Sequence, residues 1–257
     1  MYTVFVVILG LVIGSFLNVR IYRIEKEESI VTPLSHCMKC VHVLKWFELI
    51  PVLSYVFLRG KCRGCGEKIS IRYPIIEIFN SILYLILYMR FGFTIDFFKF
   101  AFLASLLIVI GVIDYDTTFV YTSTIRTGII GGIVFLVLKV VIDGEGIIEN
   151  VIGFAIGFIV IFLIVVITQG MGEGDYEIAA ISGLFLGIKG ILVTLFLSIV
   201  LGGIGAIILL IRRKKGLQSE MAFGPYIALA TVITALWGEK ILGIYMIMLW
   251  KKFCFSM

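Results

Sequence analysis

Residues 151–168 read VIGFAIGFIVIFLIVVIT, a run without one charged side chain. A helix needs about 20 apolar residues to cross the hydrocarbon core of a bilayer, so this run predicts a membrane-spanning helix. Similar uncharged runs occupy residues 2–19, 101–113 and 190–211. The chain is 61% hydrophobic and only 15% charged, whereas soluble domains are about half apolar and a quarter charged. Because an open sheet cannot satisfy its backbone in lipid, the sequence predicts an all-α polytopic membrane protein.

About eight transmembrane helices are expected. The sixth, residues 177–188, is too short for a simple crossing, so it is predicted to be half-inserted or steeply packed. The first helix lacks a basic start and a small-residue cleavage site, so it is expected to be retained rather than removed as a signal peptide. The predicted spans are residues 2–20, 73–90, 98–113, 119–141, 149–168, 177–188, 190–211 and 224–249.

Basic residues predict the orientation of these helices. Ten Lys and Arg residues lie from Arg20 to Arg72, four more form the run RRKK at 212–215, and the loop IDGEGII at 142–148 has none. Positive charge favours the cytosolic side, which places residues 21–72 and 212–222 in the cytosol. The net charge of +5 is then explained by topology and by contact with membrane lipid, and no nucleic-acid partner is expected.

The polar segment 21–72 carries two CxxC pairs. Cys37 and Cys40 form the first pair, and Cys62 and Cys65 form the second after 21 intervening residues. Two such pairs predict a four-thiolate zinc site. A closed shell of four thiolates leaves no position for water, so the zinc would be structural. Two disulfides are the alternative, which a reducing cytosol disfavours. His36 and His42, which flank the first pair, are alternative ligands.

Carboxylates are few within or beside the spans. Asp114 and Asp116 fall at the predicted cytosolic end of the third span, and Asp175 falls at the same depth near the fifth. Two carboxyl groups at one depth can share a proton and activate a water between them, as in aspartic proteases. A pathway for protons or ions is the alternative. Asp116, followed by TTF, also fits a helix N-cap for the fourth span.

These motifs together resemble the type IV prepilin peptidase family, and the resemblance covers nearly the whole chain. The match of GMGEGD to the family's GxGD motif would be weak alone, but its combination with a paired CxxC loop in this order is specific. The matching segments are GLVIGSFLNVRIYR at 10–23, SHCMKC at 35–40, LKWFELIPVLSYVFLRGKCRGCGEKISIRYPIIE at 44–77, GMGEGD at 170–175 and FGP at 223–225.

The resemblance implies a catalytic dyad of Asp114 and Asp175. The family's first aspartate precedes, by six and seven residues, an aliphatic residue and a proline. Counting from Asp114 reaches Val120 and then Tyr121, so Asp114 matches the family and Asp116 does not. Tyr121 in place of proline predicts a differently shaped turn.

The GxGD motif corresponds to Gly172, Gly174 and Asp175. Glycines allow φ values closed to other residues and let a backbone come close, so these two are expected to support the catalytic loop. The family commonly has lysine two residues after this aspartate, whereas Glu177 stands here, which changes the expected local electrostatics.

The resemblance further implies two activities on type IV prepilins or pseudopilins. The first removes a short basic leader at the cytosolic face of the plasma membrane. The second methylates the new N-terminal amine with S-adenosylmethionine, and Gly60 matches the family glycine linked to that step. The chain is expected to divide into a first helix (1–22), a cysteine-rich zinc-binding domain (23–72) and a peptidase bundle (73–257).

Two functions of other classes compete with this hypothesis. A proton or ion transporter would use its carboxylates at mid-depth and often has an internal repeat, and no convincing repeat is found in this sequence. A zinc-tethered membrane scaffold without chemistry of its own would tolerate the loss of Asp114 and Asp175. The sequence leaves open the oligomeric state and whether the substrates serve pili, secretion or DNA uptake.

Overall fold

The computed structural model describes residues 2–29, 32, 34–144, 146–168, 171–211 and 222–254. This part of the chain is helical, apart from turns and two isolated β-bridges, which confirms the all-α class. The elements are α1 (Tyr2–Glu25), a short 3₁₀ helix (Trp46–Leu49), α2 (Leu53–Phe57), α3 (Arg72–Phe91), α4 (Ile95–Thr117), α5 (Thr122–Asp143), α6 (Ile148–Thr168), α7 (Gly174–Ile211) and α8 (Gly224–Cys254).

The chain forms two compact units, Met1–Val109 and Ile110–Met257, and the boundary falls inside α4. Seven helices of the described residues are long and apolar enough to cross a membrane: α1 and α3 to α8. The protein is therefore a multi-pass membrane protein. The sequence predicted three parts, defined by their expected activities. The two units are defined by packing instead, so the three-part division stays a prediction.

In the first unit, α1 and α3 approach closely because two glycines of α1 carry no side chain. A Cβ on Gly10 would lie 2.6 Å from the Cα of Ser81, and one on Gly14 would lie 2.7 Å from the Cα of Glu77. Small residues spaced by four commonly allow such contact between membrane helices. Asn80 Nδ2 also donates to the Gly10 carbonyl at 2.7 Å. These contacts hold α1 and α3 together, and the cysteine segment connects these two helices.

In the second unit, α7 packs against α6 through another set of glycines. A Cβ on Gly157 would lie 2.4 Å from the Ala179 carbonyl oxygen, and one on Gly153 would lie 2.6 Å from that of Gly183. Asn150 Nδ2 donates to the Leu184 carbonyl at 2.8 Å. The first part of α7 therefore runs antiparallel to α6, from the end of α6 back towards its beginning.

At Gly187 the direction of α7 reverses. Gly187 has φ 70° and ψ −173°, values that do not belong to a helix. Beyond it, Ile191 and Leu195 pack with Ile161 and Ala179 in one buried cluster. A straight helix would separate Ala179 from Ile191 by roughly 18 Å, so the two parts of α7 are arms of a hairpin.

Contacts of α8 lead to the same conclusion. A Cβ on Gly224 would lie 2.9 Å from Cδ1 of Ile178, near the start of α7, and one on Gly202 would lie 2.3 Å from the ring of Phe223. Along a straight helix, Ile178 and Gly202 would be roughly 36 Å apart. The arms 174–186 and 188–211 correspond to the sixth and seventh predicted spans, so seven helices supply eight segments.

The expectation that Asp116 caps the next helix is wrong. α4 continues to Thr117, which leaves Asp116 in its last turn, and the N-cap of α5 is Tyr121. The chain leaves α4 through Thr118, which has φ 58° and whose backbone N–H donates to the Asp114 carbonyl at 2.8 Å. The basic run 212–215 lies outside the described residues.

Candidate active site and cysteine cluster

Asp114 is buried in the last turns of α4, with 4% of its surface exposed. Its Oδ2 accepts the backbone N–H of Gly224 at 2.9 Å. Gly224 begins α8 and is followed by Pro225, a residue favoured in the first turn because its missing N–H is not needed there. The start of α8 thus supplies the hydrogen bond that holds this carboxyl group.

Asp175 lies in the first turn of α7 and is only 3% exposed. Its Oδ2 accepts the backbone N–H of Gly172 at 3.0 Å, and its own N–H donates back to the Gly172 carbonyl at 3.1 Å. Each aspartate is therefore held by the backbone N–H of a glycine, and neither forms an ion pair among the described residues.

Gly174 gives room for the loop between α4 and α5. A Cβ on Gly174 would lie 2.3 Å from Cγ2 of Val120, so Val120 packs directly on the residue before Asp175. The next residue, Tyr121, has φ −82° and ψ 129°, close to the φ of about −65° that a proline ring imposes. Tyrosine here thus adopts a backbone near that of proline.

The structure brings Asp114 and Asp175 into one site of the second unit. A Cβ on Gly224 would lie 2.6 Å from Oδ2 of Asp114 and 2.9 Å from Cδ1 of Ile178, which is on the first turns of α7 beside Asp175. The two carboxyl groups interact electrostatically. Two buried acids that interact in this way resemble the pair that shares one proton in aspartic proteases.

The other acids of this region lie apart from that site. Asp116 and Glu173 are exposed, and Glu177 is half-buried. Two residues after Asp114 a helix has turned by about 200°, so Asp116 points away from the side that buries Asp114. The role of Gly224 as a hydrogen-bond donor was not predicted from the sequence. The Gly-Pro pair at the start of a helix was the signal that could have indicated it.

The four cysteines of the first unit lie together. Cys37 Sγ is 3.8 Å from Cys65 Sγ, and Cys40 Sγ is 3.9 Å from Cys62 Sγ. All four sulfurs lie within 4.8 Å of one another, close enough to hold one metal ion. Four sulfurs bound tetrahedrally at about 2.3 Å from zinc would be about 3.8 Å apart. The thiols are free, so the disulfide alternative is not the arrangement formed.

Two similar turns present these sulfurs. In the first, Cys37 donates its N–H to the His42 carbonyl at 2.9 Å, and in the second, Cys62 donates to that of Glu67 at 2.7 Å. Antiparallel bridges flank the turns, His36 with Val43 and Lys61 with Lys68. Backbone hydrogen bonds from Cys40 and Lys39 lower the pKa of Cys37 to about 6, which favours the thiolate that a metal binds.

The histidines beside the first pair do not join the cluster. Nε2 of His42 lies 3.3 Å from Oε2 of Glu48, and Nδ1 of His36 lies 2.9 Å from the Leu34 carbonyl. Within the described residues, the metal-binding group comprises the four cysteines, so their donor set fits a structural zinc ion.

Gly60 is buried next to the second pair and has φ 65°. A Cβ there would lie 2.9 Å from the hydroxyl of Tyr55. Its N–H donates to the Tyr55 carbonyl at 2.9 Å, and its carbonyl accepts the N–H of Ile69 at 2.8 Å. The glycine thus allows a tight turn against the tyrosine ring.

The fold and the two groups of side chains define a class: a polytopic helical membrane protein with a buried pair of carboxyl groups and a separate four-cysteine cluster. Two protein-family profiles match the chain, the bacterial peptidase A24 N-terminal domain over residues 8–91 and the type IV leader peptidase family over residues 101–207. Similar curated proteins carry the name prepilin leader peptidase/N-methyltransferase.

The relative from Pseudomonas putida is 30% identical over 91% of this chain and 90% of its own length. The relative from Bacillus subtilis is 31% identical over 93% and 95%, and that from Myxococcus xanthus is 36% identical over 86% and 67%. No solved structure matches the chain. The chain belongs to the type IV leader peptidase family, and it is an enzyme rather than a transporter or a scaffold.

Proposed function

We propose that this protein is a membrane aspartic endopeptidase that removes the short basic leader of type IV prepilins or pseudopilins at the cytosolic face of the plasma membrane. The observation that supports it best is the pair formed by Asp114 and Asp175, both almost fully buried and near enough to interact electrostatically. Relatives named prepilin leader peptidase/N-methyltransferase supply the substrate class.

The proposed chemistry uses water as the nucleophile. With one proton shared between the two carboxyl groups, the ionised group accepts a proton from the water as it attacks the peptide carbonyl. The protonated group donates to the carbonyl oxygen. The amine then leaves with a proton from one carboxyl group, while a hydroxyl of the tetrahedral intermediate gives its proton to the other, which restores the single shared proton. Gly224 and Gly172 hold the carboxyl oxygens through their N–H groups, which orients the pair without adding a charge.

A methyl transfer to the new N-terminal amine is the second proposed activity. It is supported by the names of the relatives and by their match across the cysteine segment. S-adenosylmethionine would supply the methyl group. Zinc is proposed as the metal at Cys37, Cys40, Cys62 and Cys65, where it would fasten the segment between α1 and α3.

The peptidase proposal is tested by leader removal from a purified prepilin in lipid, followed by gel shift. Asp114→Asn and Asp175→Asn should each abolish cleavage, because either change leaves a single carboxyl group. The double variant should be no worse than the singles, since residues that act as a unit are strongly non-additive.

Asp116→Asn is the matched control, because it removes an exposed carboxyl group two residues further along the same helix, about half a turn away. It should retain cleavage. Activity that survives in Asp175→Asn would refute the aspartyl mechanism, and loss in Asp116→Asn with activity in Asp114→Asn would transfer the role to Asp116.

A further inference from the structure

A cavity of about 380 Å³ lies within the first unit, between the cysteine segment and the facing ends of α1 and α3. Ligand pockets of about 300–1,000 Å³ are usual for small molecules, so there is room for one such ligand. The aspartate pair belongs to the other unit. The peptidase chemistry therefore leaves this cavity unexplained.

Glu48 borders the cavity and has an incomplete set of hydrogen bonds. The residue is 7% exposed. Its Oε2 accepts the backbone N–H of Lys45 at 2.8 Å and lies 3.3 Å from Nε2 of His42. Its Oε1 is buried and has no hydrogen-bond partner among the described residues. A buried carboxylate oxygen without a partner is costly, so a positive charge in the adjoining cavity would stabilise it.

Three tyrosines border the same cavity: Tyr22 of α1, Tyr55 of α2 and Tyr73 of α3. Aromatic faces attract organic cations and stack on flat ring systems. Apolar side chains, among them Val19 and Leu58, share the wall with charged ones of both signs, of which the basic ones are Arg23, Lys39, Arg63 and Lys68. Three aromatic rings, apolar side chains and charged groups of both signs suit a ligand that combines a flat heterocycle with positively and negatively charged groups.

We infer that this cavity binds S-adenosylmethionine, with Glu48 facing its positively charged part and the tyrosines its adenine ring. The inference rests on the methyltransferase half of the proposed function and goes beyond it by assigning the binding site. The cofactor has a sulfonium, an ammonium and a carboxylate group beside a purine, and the wall offers acidic, basic and aromatic side chains to them. A leader peptide is too large for the volume, although one of its lysine side chains is not.

Binding is measured on the purified full-length protein in detergent, by equilibrium dialysis with radiolabelled S-adenosylmethionine. Glu48→Gln should weaken binding about tenfold, the loss expected for a hydrogen bond to a charged group. Glutamine can still accept the Lys45 N–H. Binding of the product S-adenosylhomocysteine should be weakened less by the same change. Its sulfur is neutral, so one of the two positive charges is missing.

Glu67→Gln is the matched control. Glu67 also borders the cavity, but it pairs with Lys39 and its side chain is 45% exposed. Its replacement should leave the affinity within about twofold, since exposed ion pairs contribute little. Equal weakening by both substitutions would mean that the acidic side chains around the cavity attract the cofactor without distinction, and it would overturn the role of Glu48.

Ser54→Leu provides a second variant that changes volume instead of charge. Ser54 borders the cavity, so added bulk should weaken the binding of S-adenosylmethionine and of S-adenosylhomocysteine to the same extent. Unchanged affinity in both Glu48→Gln and Ser54→Leu would overturn the inference. So would displacement of the cofactor by a synthetic basic leader peptide, which would assign the cavity to the substrate. The metal content of each variant, measured alongside, checks that the segment is folded.

Leader cleavage by the same wild-type preparation separates this inference from the proposed function. Cleavage without binding of S-adenosylmethionine would overturn the assignment of the cavity and leave the peptidase proposal standing. Binding at the cavity without cleavage would do the reverse.

Discussion

Gly224 supports Asp114 in two ways: it donates a hydrogen bond, and it has no side chain. Its N–H is the hydrogen-bond donor to Oδ2, and a Cβ at this position would come within 2.6 Å of the same oxygen. It would also come within 2.9 Å of Ile178 on the opposite side. An added methyl group would therefore push apart the two helices that carry the aspartates.

We predict that Gly224→Ala lowers leader cleavage at least about a hundredfold, because displacing a catalytic group by about 1 Å can cost that much. The gel-shift assay measures it. Gly203→Ala is the control, since a Cβ at Gly203 would meet no atom within 4 Å. Normal cleavage by Gly224→Ala would mean that Asp114 does not need this close contact.

At the residue scale, the sequence identified Asp114 but gave no indication that Gly224 donates a hydrogen bond to it. Counting to Val120 and Tyr121 separated Asp114 from Asp116, and the structure buries the first and exposes the second. The hydrogen bond from Gly224 joins residues 110 positions apart. Neither spacing nor residue type reveals such a contact, because it depends on how α8 packs against α4.

Among the elements, the cysteine segment has little core of its own. Trp46 is 79% exposed and Phe57 is 80% exposed, while Cys62 is among its few buried apolar residues. A metal that joins both turns would supply the missing stability. The CxxC spacing alone was enough to predict the cluster, because each pair needs only a local turn.

We predict about one zinc ion per chain, measured by elemental analysis of the purified protein. The double variant Cys62→Ser, Cys65→Ser should lose the metal and part of its thermal stability, since it removes two of the four thiolates. Equal metal content in wild type and variant would exclude the site.

We propose that Gly60 connects this segment to methyl transfer. Gly60→Val would place a branched side chain at φ 65° and against the Tyr55 hydroxyl, a backbone conformation that β-branched residues avoid. We predict that methylation is damaged more than cleavage, because the aspartates belong to the other unit. Mass spectrometry of a processed pilin should show a free N-terminus. An uncleaved substrate would mean that the two activities do not have separate sites.

The reversal at Gly187 is an element-scale feature that the sequence indicated only in part. A predicted sixth span too short to cross alone was the signal. The turn itself depends on the contact of Gly183 with Gly153, which brings the first arm of α7 against α6. The hydropathy of the sequence does not predict such packing.

For the whole molecule, the number of segments decides the topology. With eight segments, α7 crosses the membrane twice, so its second arm ends on the same side of the membrane as Asp114. The contact of Gly202 with Phe223 requires this arrangement. The positive-inside rule gives the same side for the basic residues that follow. Seven simple crossings would put those residues outside.

We predict that alkaline phosphatase, which is active only outside the cytosol, is inactive when fused after Glu28 or after Lys215. Fused after Gly144, in the loop without basic residues, it should be active. Activity after Lys215 would show that α7 crosses once, and the eight-segment topology would be wrong.

The short first arm of α7 also fixes how deep the reaction takes place. Tyr176, beside Asp175, packs its ring against Phe158 and Phe162, so Asp175 lies level with the interior of α6 and roughly 9 Å from its end at Thr168. A peptide helix at that depth hides its carbonyls in hydrogen bonds of its own. Under the proposed mechanism the scissile bond must therefore be drawn below the surface and locally unwound, and water must reach it there. Bilayer thickness consequently becomes a determinant of turnover: a thicker bilayer lengthens the path that both the leader and the water must travel.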